Sequence, residues 1–141
     1  MASLSIQDLI DRAEGVLHPR LVGDRWFGDV AAAIETAEGN VFLGVCVDTG
    51  ATGYCAEQAA GAAMITAGET RVRRVVAVWR DSRVATDAPL FVLPPCGVCR
   101  RFLVDIDPAN LDTEVVLGAH EVSLLGQLLP LAGWSARPAR P

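Results

Sequence analysis

"CAEQAAGAAMITAG", residues 55–68, leads into "VRRVVAVW", residues 72–79, and this pair decides the fold class. The first stretch is almost entirely small side chains. Such a run suits a helix lying tightly on a sheet, with Gly68 as the stop beyond its last turn. The second is rich in valine, with arginines only at its start, and reads as a buried strand. Working outward, Ser5 can cap a helix whose Ile6, Leu9, Ile10, Ala13, Val16 and Leu17 fall at helical spacing, ended by His18-Pro19. Residues 30–36 and 41–47 read as strands around the hairpin signal "AEGN". "DTGATGY", residues 48–54, and "RDSRVATDAP", residues 80–89, read as loops. Pro95 opens a short helix through Asp105, "TEVVLG" supplies another strand, and "SLLGQLL" a last helix before Pro130. Helices alternating with strands in this order predict an α/β protein, a three-layer sandwich. No internal repeat or linker divides the chain, so one domain is expected over residues 1–134, with a frayed tail over 135–141.

Composition narrows the function classes. The chain has 141 residues, 51% hydrophobic and 21% charged, enough to bury one core. Its formal charge is −5 and its twelve basic residues are all arginine, which disfavours a duplex nucleic-acid surface. "RVRR", residues 71–74, reads as a solvated strand entry. No apolar run is long enough to cross a bilayer, so no membrane association is expected. No basic segment followed by an apolar one opens the chain, so no secretory signal is expected and the reducing cytoplasm is the expected compartment. There, cysteines serve metal or chemistry more often than disulfides.

Three of the four cysteines fall in two short segments, "GYCAEQAAG" at 53–61 and "PPCGVCRRF" at 94–102. Each segment sits where a loop becomes the first turn of a helix, whose free N–H groups favour thiolate. Cys96 and Cys99, one turn apart, can face one ion, and Cys55 brings a third sulfur. Zinc takes such ligands, and a catalytic site keeps its fourth position open. Glu57 need not share the face of Cys55 and can serve as a proton carrier beside the ion. Cys46 admits two readings, a core cysteine within an apolar strand or a fourth ligand closing a structural site. A thiol-redox reading of "CGVC" leaves Cys55 and Glu57 unexplained.

Cys-Ala-Glu followed by Pro-Cys-x-x-Cys resembles the signature of the cytidine deaminase superfamily. From about Val30 to Trp134 the chain looks most like the small blasticidin S deaminase-type proteins: "AEGNVFLGVCV", "CAEQ", "PPCGVCRRFL" and "QLLPLAGW" fall in the family's order. The loop before "YCAE" has the short blasticidin-type length. The resemblance implies a mixed sheet of about five strands and a Zn²⁺ cofactor held by Cys55, Cys96 and Cys99. It implies Glu57 as the group that carries protons from water to the ring and the departing ammonia. Arg100, directly after Cys99, is the candidate to offset the negative charge of three thiolates, against the plain reading of a surface arginine; Gln58 stands where some relatives carry a compensating arginine. Around the substrate the resemblance places Phe27, Cys46, Asp48, Ala56 and Trp134. It further implies a homotetramer, with a dimer second.

Departures from the family pattern bear on the substrate. Cytidine deaminases carry a phenylalanine before the first strand and an Asn-x-Glu pair after the second. Here those positions fall at Gly28, Cys46 and Asp48, with Trp26 and Phe27 near enough to substitute as an aromatic wall. A thiol cannot replace the donor and acceptor of an amide, so ribose recognition is expected to be poor. The expected function is therefore zinc-dependent hydrolytic deamination of a small aminated pyrimidine-like heterocycle: cytidine-like, blasticidin S-like, or a free or modified base. The alternative from another class is a non-catalytic, zinc-stabilised ligand-binding protein of the same fold. Asp48 faces the substrate or caps the glycine loop, Trp134 closes the pocket or packs, and His18 and His120 belong to a helix end and a loop.

Overall fold

Ser5 starts the first helix as expected. Its hydroxyl accepts from the Asp8 N–H while the Asp8 carboxylate accepts from the Ser5 N–H, both at 3.0 Å. This computed structural model describes residues 4–81, 87–130 and 137–140. Helix α1 (Ile6–Glu14) stops at Gly15, short of His18-Pro19, and Val16 and Leu17 continue as turns. A hairpin of β1 (Arg20–Val22) and β2 (Arg25–Phe27) follows, in a segment the sequence pattern leaves unassigned.

The main sheet starts with β3 (Val30–Thr36) and β4 (Val41–Val45). The second strand ends before residue 47: beyond Cys46 the chain turns off to pair β5 (Val47–Asp48) with β6 (Gly53–Tyr54). Helix α2 (Ala56–Thr66) crosses to β7 (Val72–Trp79), the strand around which the sheet is built. One edge of β7 pairs antiparallel with β3. Its other pairings are shared, parallel with β9 (Glu114–Gly118) near its start and antiparallel with β8 (Phe91–Leu93) near its end. Helix α3 (Gly97–Ile106) and a 3₁₀ turn (Pro108–Asp112) link β8 to β9. The helix starts two residues after Pro95, because the Cys96 thiol takes the N-cap position. Strand β10 (Glu121–Leu124) then lines the edge of β9, leaving only α4 (Leu125–Leu128) of the expected last helix. Backbone pairing along an open sheet edge outweighs the helical pattern of "SLLGQLL" there. The sheet is mixed, as expected, with five strands along its main path and β8 as a sixth paired to β7.

Alternation along β3 divides the core. Ala31 and Ala33 face α1 with Leu9, Ile10, Ala13, Val76 and Val78. Ala32 and Ile34 face the opposite layer with Ala60 and Met64 of α2 and Leu103 and Val104 of α3. This is the three-layer arrangement. Small residues set the spacing of the second layer: a Cβ on Gly44 of β4 would lie 2.4 Å from the Ala60 nitrogen. A Cβ on Gly61 of α2 would lie 2.6 Å from the Phe102 ring of α3. The alanines and glycines of α2 therefore let it nest against both β4 and α3. Among the described residues no helix is long and apolar enough to cross a membrane.

Candidate active site

Packing of α2 beside α3 brings their first turns together. Cys55 is the N-cap of α2 and Cys96 the N-cap of α3. Gln58 reaches back so that its Oε1 accepts from the Cys55 N–H at 3.0 Å, which fixes the entry to α2. Cys96 Sγ accepts from the Cys99 N–H at 3.5 Å. The Sγ atoms of Cys55 and Cys96 lie 3.7 Å apart and those of Cys96 and Cys99 3.5 Å apart. All three sulfurs fall within 4.8 Å of one another, and Cys46 is not part of the group. Thiolates at about 2.3 Å from a tetrahedral zinc are separated by about 3.8 Å. The donor set and its spacing therefore fit zinc, and three sulfurs leave one position open.

Glu57 stands beside them. Its side chain is buried, 5% exposed, and its Oε2 accepts from Cys99 Sγ at 3.6 Å. Burial is the main cause that pushes its carboxyl above the ordinary value, a direction that suits a group which must hold a proton. The thiols divide. At Cys96 burial pushes upward, yet the N–H groups of Cys99 and Val98 and the neighbouring thiols together hold the group below the ordinary thiol value. Burial raises Cys55 and Cys99, and the charges of Glu57 and neighbouring thiolates add to it. The helix N–H groups thus favour thiolate at Cys96, while burial outweighs them at Cys55 and Cys99. A divalent cation reverses that balance, since coordination deprotonates a thiol outright.

A cavity of about 160 Å³ opens onto this cluster, walled by Val30, Cys46, Ala56, Ala77, Leu93 and Pro94 together with Cys55, Glu57 and Cys96. It is small beside the roughly 300–1,000 Å³ of drug-sized pockets, and suits a single ring. Among the substrate-side candidates, Cys46 and Ala56 line it. Phe27, in β2, does not, and neither does Asp48, whose exposed carboxylate sits 3.7 Å from Arg25. Trp134 lies outside the described residues. Arg100 donates from Nε to the Pro95 carbonyl and from Nη1 to that of Leu128, both at 2.9 Å, so it braces the approach to Cys96 against the end of α4.

Two features escape the sequence. Gly28 has a positive φ of 71°, and a Cβ there would lie 2.7 Å from the His18 carbonyl oxygen, so no phenylalanine fits this backbone. Asp29 Oδ1 accepts from Cys46 Sγ at 3.0 Å. Val30, Ala77, Leu93 and Pro94 were also not anticipated on the wall. The period-two alternation of β3 and β7 and the Pro-Pro before Cys96 are the signals that could have placed them.

Known proteins share sequence and fold with this chain. The chain is similar to a blasticidin-S deaminase of Bacillus cereus, 28% identical over 104 residues that cover 72% of this chain and 74% of the relative. A crystal structure of cytidine deaminase from Burkholderia pseudomallei matches with a TM-score of 0.71 at 27% identity, over 92% of this chain and 100% of that one. Cytidine deaminase from Mycobacterium tuberculosis matches in fold with a TM-score of 0.70 at 23% identity, over 92% of this chain and 97% of that one. No family model matches the sequence. Fold and sequence similarity together support the cytidine deaminase superfamily for this chain.

Proposed function

We propose that this protein is a zinc-dependent hydrolytic deaminase of a small aminated pyrimidine-like heterocycle. The observation that carries the reading is the buried Glu57 carboxylate on the cavity wall, 3.6 Å from Cys99 within the three-sulfur cluster. A structural zinc site has no use for a buried acid beside its ligands, whereas hydrolysis needs a proton carrier there. The relatives named blasticidin-S deaminase and cytidine deaminase support the same chemistry.

Cys55, Cys96 and Cys99 would hold zinc, which when bound supplies the Lewis acidity that makes water nucleophilic near neutral pH. The chain's own residues do the rest. The walls of Val30, Ala77, Leu93 and Pro94 exclude bulk water and hold a flat ring. Glu57 takes a proton from the attacking water and gives it to the ring nitrogen next to the aminated carbon. It then carries the second proton to the amine. The carbon–nitrogen bond breaks, a carbonyl replaces the amine, and ammonia leaves. With Gly28 and Cys46 in place of the family's phenylalanine and asparagine, the ring carries an attachment other than an ordinary ribose. Cytoplasmic location, a single domain and a homotetramer belong to the same reading, and light scattering of the purified protein tests the last.

The test is ammonia release by the zinc-loaded protein on cytidine, deoxycytidine, cytosine, blasticidin S and aminated triazines and purines, with Glu57→Gln as the blank. Release lost in the variant supports the enzyme. Tight ring binding without release by either protein supports a non-catalytic binding protein instead. Cytidine turnover as fast as that of any other compound would refute the reading of Cys46.

A further inference from the structure

Asn110 is fully buried and polar, and takes no part in the proposed reaction. It sits in the 3₁₀ turn between α3 and β9, and its carboxamide uses all of its hydrogen-bonding capacity. Oδ1 accepts from the Val72 N–H at 2.8 Å and from Arg71 Nη1 at 3.2 Å. Nδ2 donates to the Leu103 carbonyl at 2.9 Å and to the Thr70 carbonyl at 3.0 Å. One side chain thus joins three segments: α3, the link that leaves α2, and the start of β7. Asp107 holds the turn itself. Its Oδ1 accepts from the Ala109 N–H at 2.9 Å, its carbonyl from the Asn110 N–H at 2.8 Å, and its Oδ2 from Thr70 Oγ1 at 3.3 Å.

Resting on the zinc reading of the cluster, we propose that Asn110 is a positioning residue for the metal site, which fixes α3 along its axis and so presents Cys96 and Cys99 beside Cys55. The two helices that these bonds tie at their far ends are the two that start at the cysteines. Helix α2 is seated independently, because Gly44 lets its backbone lie directly on β4. Helix α3 meets α2 through Phe102 on Gly61. Apolar contacts of that kind resist separation but not a slide along the axis, since they have no preferred direction. Hydrogen bonds to Leu103 do resist it, because they are directional. Leu103 lies four residues, about 6 Å, along the helix from Cys99, so a slide at one is carried to the other. Metal–ligand distances are held to about 0.2 Å, which leaves little room for such a slide.

A matched pair of variants tests this. Asn110→Asp keeps the shape and the acceptor for Val72 and Arg71, but turns an oxygen toward the carbonyls of Leu103 and Thr70. Thr113→Val removes the bond from Thr113 Oγ1 to the Val72 carbonyl, 2.9 Å long and equally buried, and touches neither helix. Zinc affinity is read by competition with a chelator, and site geometry by the d–d bands of cobalt(II) titrated into the metal-free protein. Both variants should melt at a lower temperature. Asn110→Asp is expected to bind zinc roughly 10–100-fold more weakly, with weakened and broadened cobalt bands. Thr113→Val should stay within about twofold of the unaltered protein, with its bands unchanged. Full affinity and unchanged bands in Asn110→Asp would overturn the proposal, and equal losses in the two variants would reduce Asn110 to a core residue. If Asn110→Asp is unfolded without metal, saturating zinc is expected to fold it, and a chain that stays unfolded in zinc also overturns the proposal. Neither readout uses a substrate. No metal uptake by the unaltered protein would remove the zinc reading and this inference together, whereas normal uptake without ammonia release would remove the deaminase reading and leave Asn110 in its role.

Discussion

In the proposed mechanism the chemistry turns on Glu57, and its burial does two things. It brings the carboxylate to the sulfur cluster, and it raises the proton affinity that a shuttle needs. Glu57→Gln keeps the volume and removes the shuttle, so kcat is expected to fall by roughly 10²–10⁴-fold, with zinc content and circular dichroism unchanged. Single-turnover ammonia release and metal analysis check it. Cys96→Ser should instead lower bound zinc in the purified protein, because the thiol held most readily as thiolate is lost. Full zinc occupancy in that variant would remove Cys96 from the ligand set. The cluster was legible because its parts are local: each cysteine lies at a helix start, where N–H groups converge in the sequence itself. The Cys46–Asp29 bond was not, since its partners stand 17 positions apart on strands whose register the local pattern leaves open. Phe27 was placed near the substrate by proximity in sequence, but it lies in a hairpin that the pattern does not announce and is absent from the cavity wall.

At the scale of the elements, tight nesting of α2 carries the site. Gly44 and Gly61 are the two contact points, one beneath the helix and one beside it. Gly44→Ala places a methyl against backbone atoms of Ala56 and Ala60 that cannot yield, and is expected to cost about 1–3 kcal/mol. Urea unfolding measures the loss, and reduced zinc affinity should accompany it, since Cys55 moves with the helix. Helix α1 shows a milder dependence on pH. The Ser5 hydrogen bonds lower the Asp8 carboxyl below its ordinary value of 3.8, so the cap is fully present above that value and disappears as pH falls through the depressed one. Asp8→Ala should therefore lower the unfolding midpoint at pH 7, and the gap between the two proteins should close in acid. A gap constant to pH 3 would mean that the box does not hold the helix. The strands β3 and β7 were legible to the residue, because buried β-branched and small runs bounded by turns have few other readings. Strand β10 was not, because its pairing depends on an edge that only β9 provides.

Across the whole molecule, the three-cysteine cluster joins two helices that belong to different parts of the chain. Cys55 and Cys96 are 41 positions apart, with β7 and β8 formed between them. Removing the ion by a chelator is expected to lower the melting temperature by roughly 5 °C or more, reversibly on adding zinc back. Calorimetry with and without chelator checks this, and an unchanged transition would exclude a structural contribution from the ion. That span also sets an order of events during synthesis. Helix α2 can settle on the β3–β4 hairpin as soon as those neighbouring segments leave the ribosome, but its cysteine then waits for a partner not yet made. A chain starved of zinc should stall with the hairpin half assembled and α3 undocked. Pulse-labelled hydrogen exchange during refolding would show this as late protection of the amides of α3, advanced by added zinc.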